Sequence, residues 1–537
     1  MRNITKINEN TYKWIAIILL VVYAAVGLIC FDDYGCGPDE GMERQTALVN
    51  YKYAVERLNI PISEENKTWL AYLPDLKEYR DRYYGTALHF PLVLIESAFH
   101  FSLLPSQFYG LRHFYTFLNY FIGVICFYKM LSERFSGRRY GIFGMLMMVL
   151  TPRFFAESFY NNKDIIFVAW YIICAFLMEK WFQRRGVFIS IVLAFALALT
   201  CNTRFNGIIF FPVLAALLGI ESLRNHSIKG WKYFLLVVCL SLLFFYLVTP
   251  NFWENPVETF YETLQFNLHH PNHGSDGNLF KGVTVDAAKI ITYIPTWIAA
   301  TVPPVMLLFI VSGLVIFVFK MIKYVVSGQF EKIKLTDVMM FICGFIAVLF
   351  IMVTHVTIYN SWRHCYFAYP CLVYFAVYLF QLIDDTEKRA VCTVYRVLMF
   401  GSLAYNLCWI VMNHPFEFVY FSPVVRDRAN QFSGDYWSIS SRALLEYIAQ
   451  NDNIRVLKVN HMHSQAGSIN RGLLPEEEKR YMELTYDETE DVDYYIVCRD
   501  EITDVNVVPS NYSKVFSIIV DNDEIGAVFG KQSIIRY

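Results

Sequence analysis

The sequence predicts a polytopic α-helical membrane protein of about eleven transmembrane helices, with a small extracytoplasmic α/β module at its C-terminal end. Three observations predict it. First, of 537 residues 55% are hydrophobic and only 18% charged, where soluble domains carry roughly a quarter charged residues. Second, the apolar residues gather in runs near the ~20 that a helix needs to cross a bilayer, and the mean hydropathy is +0.35. Third, short basic loops recur between alternate runs. A formal net charge of −2 gives no electrostatic case for nucleic acid. The 12 Cys are no disulfide framework in a chain of this length; many lie inside apolar runs, where a thiol is a small hydrophobe.

The apolar runs fall near 13–31, 109–131, 140–153, 164–182, 187–202, 205–220, 231–249, 298–320, 336–356, 365–383 and 391–412. The first is too long for a signal-peptide core, and no small-x-small cleavage site precedes the polar segment, so it reads as a retained anchor. The stretch 187–220 is split by Asn202, Thr203, Arg204 and Asn206 into two helices with a tight turn.

Placing Arg2, Lys6 and Lys13 in the cytoplasm puts every short basic loop on that side. These loops hold Arg134, Arg138 and Arg139; Lys180, Arg184 and Arg185; Arg224, Lys229 and Lys232; Lys320, Lys323, Lys332 and Lys334; and Lys388 and Arg389. One miscounted span would scramble the pattern. The other side then receives the long segments 32–108, 250–297 and 413–537, plus the turns 152–163, 201–206 and 357–364. Within 32–108, the run Phe90 to Leu104 is too short and polar to span and reads as a helix lying at the interface. After 440 the pattern changes to a helix at Ser441 to Gln450 and strands at Arg455 to Val459, Tyr494 to Cys498, Val515 to Val520 and Ile525 to Phe529. The division is a transmembrane domain, 1–435, and an α/β domain, 436–537.

Five polar constellations interrupt the apolar pattern. Asp32-Asp33-Tyr34-Gly35-Cys36-Gly37-Pro38-Asp39-Glu40-Gly41 follows the first span. A carboxylate there can accept a proton from an attacking hydroxyl, and the same composition suits a solvated turn. Thr151 to Ser158 with Asn161-Asn162-Lys163-Asp164 sets two cations beside two acids; Arg153 and Lys163 can hold a phosphate or form interfacial ion pairs. Arg204 in Asn202 to Gly207 is costly between apolar helices unless an anion or an Asp partners it. Arg363 and His364 stand among aromatics in Tyr359 to Pro370, a setting for bidentate phosphate contact or for interface anchoring. His269-His270-Pro271-Asn272-His273 with Asp276 lacks helical ligand spacing and reads as a polar loop.

Taken in order, these pieces resemble the GT-C superfamily of membrane glycosyltransferases. They are most similar to the branch of protein O-mannosyltransferases and their bacterial relatives. The resemblance runs over roughly residues 10–440 and rests on Pro38-Asp39-Glu40, Asn162-Lys163-Asp164, Arg204-Phe205-Asn206-Gly207, Arg363-His364 leading to Phe367-Ala368-Tyr369-Pro370, His414 to Phe421, and Asp435-Tyr436-Trp437. It implies a GT-C-like fold and transfer of a sugar from a polyprenyl-phosphate carrier to an acceptor outside the cytoplasm. It implies that Asp39 or Glu40 acts as base. Arg363, seconded by Arg204, Lys163 and His364, would hold the lipid phosphate; Asp164 would support the acceptor side or orient a cation, and Arg153 would be a further supporting residue. The segment 250–297 bears no acceptor signature, and the tail does not resemble the sugar-binding fold of eukaryotic O-mannosyltransferases.

The chemistry agrees on separate grounds. Nucleotide sugars are cytoplasmic, so an outward-facing site needs a donor that has already crossed, which a lipid-linked sugar is. Departure of phosphate calls for preorganised cations, a carboxylate opposite takes the hydroxyl proton, and in-line attack inverts the anomeric carbon. No cofactor is required; a divalent metal is compatible with the chemistry, but no ligand spacing supports one. The expected partners are a polyprenyl-phosphate-sugar, membrane lipid and an acceptor of unspecified class; the expected location is a bacterial plasma membrane. The rival functions are a ligase or polymerase of lipid-linked glycan and a transporter or flippase. A transporter favours midplane charges and two related halves, whereas here the charges gather at one face and no halves match.

Overall fold

The structure is a computed structural model that describes residues 8–269, 277–386, 388–452, 456–461, 464–487, 490–499 and 508–532. Among them nine helices are long and apolar enough to cross a membrane: Glu9–Cys30, Pro105–Arg134, Asp164–Gln183, Phe205–Asn225, Trp231–Val248, Pro304–Val326, Leu335–Val353, Arg363–Asp384 and Arg389–Asn413. Counting the bent pair Arg138–Val149 and Pro152–Tyr160 as one span makes ten. The apolar Val187–Thr203 is shorter, at 17 residues. Together these occupy the places of all eleven runs. The chain is a multi-pass membrane protein.

Burial separates a centre from a lipid-facing rim. The most apolar window of Arg363–Asp384 is 83% buried and that of Asp164–Gln183 67%, while Trp231–Val248 reaches only 11% and Glu9–Cys30 17%. The rim exposes Val21, Ile29, Leu242 and Val411, as a surface solvated by hydrocarbon does. The centre is aromatic: Phe154 stacks on Tyr369 at 4.4 Å and meets Tyr366 at a tilt at 4.8 Å.

Proline sets two breaks that hydropathy missed. The run 140–153 ends at Val149, and Pro152 opens a second helix, Pro152–Tyr160, turned by 71°. All nine of its residues are buried, so this stretch is part of the core rather than an exposed turn. The span expected from 298 starts instead at Pro304, because Pro303 and Pro304 end the preceding helix, Tyr293–Thr301.

The segment 32–108 folds into Pro38–Leu58, Glu64–Leu70 and Phe90–Ala98. The expected interface helix from Phe90 to Leu104 stops at Ala98. Its Glu96 is buried, holding Arg112 at 2.5 Å and Arg44 at 2.6 Å, so one face packs on protein. The hydropathy of the run hid that ion pair. The C-terminal region forms a five-stranded sheet in the order Met482–Thr485, Leu457–His461, Tyr494–Cys498, Asp523–Lys531, Tyr512–Val520. The first two pairings are parallel and the last two antiparallel. Helix Ser464–Leu473 makes the crossover that the first parallel pair needs. This helix and the strand Met482–Thr485 were not foreseen. Trp409 Nε1 donates to Asp521 at 2.9 Å, tying the sheet region to the last span. Residues 270–276, with His270, His273 and Asp276, lie outside the described residues.

Candidate active site

Helix termini present the charges. Pro38 and Gly37 open helix Pro38–Leu58, with Asp39 and Glu40 in its first turn, where a carboxylate favours the helix dipole. The two acids then part. Glu40 turns back to accept from Gly37 N–H at 3.0 Å and meets His113 Nε2 at 3.0 Å, leaving its side chain 2% exposed. Asp39 points the other way and stays 32% exposed.

Asp39 contacts one cation, Arg363, and lies in the field of two more, Lys163 and Arg204. Arg363 Nη1 donates to Asp39 Oδ2 at 3.0 Å and to Asp164 Oδ2 at 3.4 Å. Arg204, just past the end of Val187–Thr203, donates to the other oxygen of Asp164. Asp164 begins the preceding span, Asp164–Gln183, and Asn161 Oδ1 accepts from its N–H at 2.9 Å. Lys163 pairs with Glu43 and lies 3.5 Å from the centre of the Tyr84 ring. Burial alone would raise the Asp39 carboxyl, but Arg363, Lys163 and Arg204 outweigh it and hold it below the usual carboxylate value. The Arg363 guanidinium lies 4.9 Å from each of the Tyr359 and Trp437 rings. Its Nε and that of Arg204 are buried without a hydrogen-bond partner among the described residues.

A cleft opens beside Lys163 and Arg204, lined also in part by Arg82, Tyr84, Asn202 and Phe205. Its wall depends on Gly85, where a Cβ would lie 1.7 Å from the Asn202 carbonyl oxygen. That close approach lets Asn202 Oδ1 accept from Ala87 N–H at 2.8 Å and fixes the turn carrying Arg204.

The sequence candidates therefore divide. Asp39, Lys163, Asp164, Arg204 and Arg363 converge. His364 flanks them through Tyr359, ring to ring at 4.6 Å. Glu40 is drawn off to His113 by its capping bond. Arg153 is 1% exposed; its Nε donates to the Tyr420 carbonyl at 3.0 Å and its guanidinium stands 4.9 Å from the Phe421 ring. It packs within the core instead of beside Lys163. The His414 motif serves to clamp the first loop: Nδ1 meets Glu417 at 2.7 Å and Nε2 meets Asp33 at 2.9 Å. Burial depresses the imidazole, but hydrogen bonds with Cys30, Glu417 and Asp33 raise it to about 11.

Two participants were missed, and a third, Glu157, is among the acids of the second constellation but has no assigned role there. Glu43 lies four residues after Asp39 on one helix face, a spacing legible in the sequence. His89 stands 3.7 Å from Glu43, and burial lowers it to about 4, so it is neutral. Glu157, wholly buried, accepts from Tyr366 at 2.7 Å and from Asn161 at 2.8 Å behind Asp164.

Residues 98–249 match the model of the dolichyl-phosphate-mannose-protein mannosyltransferase family. No curated protein matches. Among solved structures, ArnT from Cupriavidus metallidurans bound to undecaprenyl phosphate is 12% identical with a TM-score of 0.45, over 95% of this chain and 97% of its own. The apo state of the same protein is 13% identical with a TM-score of 0.48, over 96% and 98%. The family match takes in Lys163, Asp164 and Arg204 but neither Asp39 nor Arg363, which join them only in three dimensions. Residues 98–249 thus carry the signature of the dolichyl-phosphate-mannose-protein mannosyltransferases, which bears out over that segment the GT-C resemblance drawn from the sequence.

Proposed function

We propose that this chain is a glycosyltransferase that moves a sugar from a polyprenyl-phosphate-linked donor to an acceptor hydroxyl on the extracytoplasmic face, with inversion. The observation that carries the reading is the convergence of Asp39, Asp164, Arg204 and Arg363 in one hydrogen-bonded cluster, beside a cleft that Arg204 and Lys163 line. The unused Nε–H groups of Arg204 and Arg363 are donors for a phosphate oxygen. As the sugar–phosphate bond breaks, negative charge grows on that phosphate, and fixed guanidinium groups stabilise it without reorganising.

Exposure decides which acid is the base. Asp164 is 1% exposed and bound by both arginines, so it holds them in place. Asp39 is reachable, has one arginine contact, and takes the acceptor proton. In the resting site Arg363 keeps Asp39 ionised. A donor phosphate that draws the guanidinium away raises the basicity of Asp39 as the substrate arrives. Chemistry on the outer side is supported by the basic loops, which gather at the opposite end of the spans. Residues 436–537 are proposed as a separate module whose first residues close over the site through Trp437.

The test offers purified protein a panel of polyprenyl-phosphate sugars and follows release of the polyprenyl phosphate, with mass spectrometry of the glycan formed. Turnover of a monosaccharide donor supports the reading. Turnover only of preassembled lipid-linked oligosaccharides overturns it in favour of a ligase.

A further inference from the structure

We propose that Cys36, Glu40 and His113 form a zinc-class metal site that staples the first outer loop to helix Pro105–Arg134. The three side chains are 0%, 2% and 2% exposed. One ligand atom from each falls within 4.8 Å of the other two. Cys36 Sγ is 3.5 Å from His113 Nε2, and Glu40 Oε2 is 3.0 Å from the same nitrogen. A tetrahedral zinc with bonds of about 2.0–2.3 Å sets adjoining ligand atoms roughly 3.3–3.6 Å apart, so the two edges that meet at His113 Nε2 already match such a polyhedron to within a few tenths of an ångström.

The surroundings orient these atoms. His113 Nδ1 lies 3.0 Å from the Phe31 carbonyl oxygen, where it donates, and this turns Nε2 towards the thiol and the carboxylate. Glu40 Oε1 accepts from Gly37 N–H, leaving Oε2 for the metal. The backbone of Cys36 is held on both sides by Asn470 of the C-terminal region: its N–H donates to Oδ1 at 2.8 Å and its carbonyl accepts from Nδ2 at 2.8 Å. Gly35 allows this approach, since a Cβ there would stand 2.8 Å from Asn470 Oδ1 and 2.2 Å from the Ile439 carbonyl. Sulfur, imidazole and carboxylate together select zinc over magnesium or calcium, which prefer all-oxygen shells. Three protein ligands leave a fourth position for solvent oxygen.

The site joins the first outer loop, a membrane helix and the C-terminal region at one point. It lies one residue from Asp39, so an ion here sets the pose of that carboxylate without touching substrate. The sequence hid it because its ligands come from residues 36, 40 and 113, with no paired Cys or His motif.

The experiment measures metal in full-length protein purified without a metal-affinity tag. About one zinc per chain is expected, with cobalt exchange producing a thiolate-to-metal absorption band. Cys36→Ser should remove that band and His113→Gln should cut metal content several-fold, each with a lower melting temperature that added zinc no longer raises. Cys30→Ser alters the other Cys, Asp and His cluster, Cys30 with Asp33 and His414, and should keep the full metal content. Wild-type protein that takes up no zinc when zinc is supplied overturns the site and leaves a buried Glu40–His113 ion pair. Metal lost in Cys30→Ser and retained in Cys36→Ser overturns it equally. Neither readout uses sugar transfer, so the result is independent of the donor reaction.

Discussion

At one end of helix Pro105–Arg134, Arg134 sets Nε and Nη2 on the two oxygens of Asp337 at 2.7 and 2.6 Å, and Tyr374 also donates to that carboxylate. Near the other end, His113 holds Glu40 beside Asp39, and Arg363 reaches Asp39 and Asp164 through a single nitrogen, with its Nε unbonded among the described residues. The 21 residues from 113 to 134 span roughly 30 Å at 1.5 Å per residue, about the depth of a bilayer's hydrocarbon. Both ends bury arginine against aspartate. The far pair is matched two on two, a closed bond that locks helices together. The near cluster shares its charges among residues 39, 164, 204 and 363, with Lys163 paired to Glu43 beside them, and keeps donors in reserve. A ligand anion can enter the second arrangement and has no place in the first.

Substitutions at the two ends should therefore fail in different ways. The largest effect is expected from Asp39→Asn, which removes the base: transfer falls by about 10²–10⁴-fold with melting temperature nearly unchanged. Asp337→Asn is the mirror case. It leaves Arg134 buried without its charge partner, at a cost of about 3–5 kcal/mol, so melting drops sharply while the surviving folded enzyme keeps its apparent donor KM. If Asp337→Asn instead raised donor KM, the contrast between the ends would be wrong.

A smaller, sharper effect is expected from Arg363→Lys. The charge remains but the forked contact is lost, so kcat/KM falls by about 10²-fold, expressed on the donor rather than the acceptor. Unchanged donor affinity would shift the phosphate to Arg204 and Lys163.

The smallest expected effect is a pH dependence. His414 titrates at about 11 in the folded chain, against about 6.5 unfolded. Its contribution to stability is whole below about pH 6.5 and is lost as pH rises through about 11. Melting temperature should decline between about pH 7 and 10 in the wild type, and His414→Gln should start lower and decline less. Parallel curves would remove His414 as the clamp on Asp33.

Hydropathy and loop charge read the spans well because a bilayer imposes length and apolarity on each helix separately. They failed at Pro152–Tyr160 and at Phe90–Ala98, where the neighbour is protein and an ion pair such as Glu96 with Arg112 replaces solvent. The candidate list contained Asp39, Lys163, Asp164, Arg204 and Arg363, each a polar interruption next to an apolar run. Choosing Asp39 over Glu40, and separating Arg153 from Lys163, lay beyond it.

The sequence alone determined that the chain crosses a membrane many times, which segments cross, and that charged residues collect in the loops, since these follow from transfer free energies that act residue by residue. Tertiary structure alone decided which charges meet. The Arg363–Asp39 contact joins positions 324 residues apart, and the Cys36–His113 contact 77. Such pairing depends on how helices pack and where each side chain is already committed, and those are properties of neighbours that no local pattern encodes.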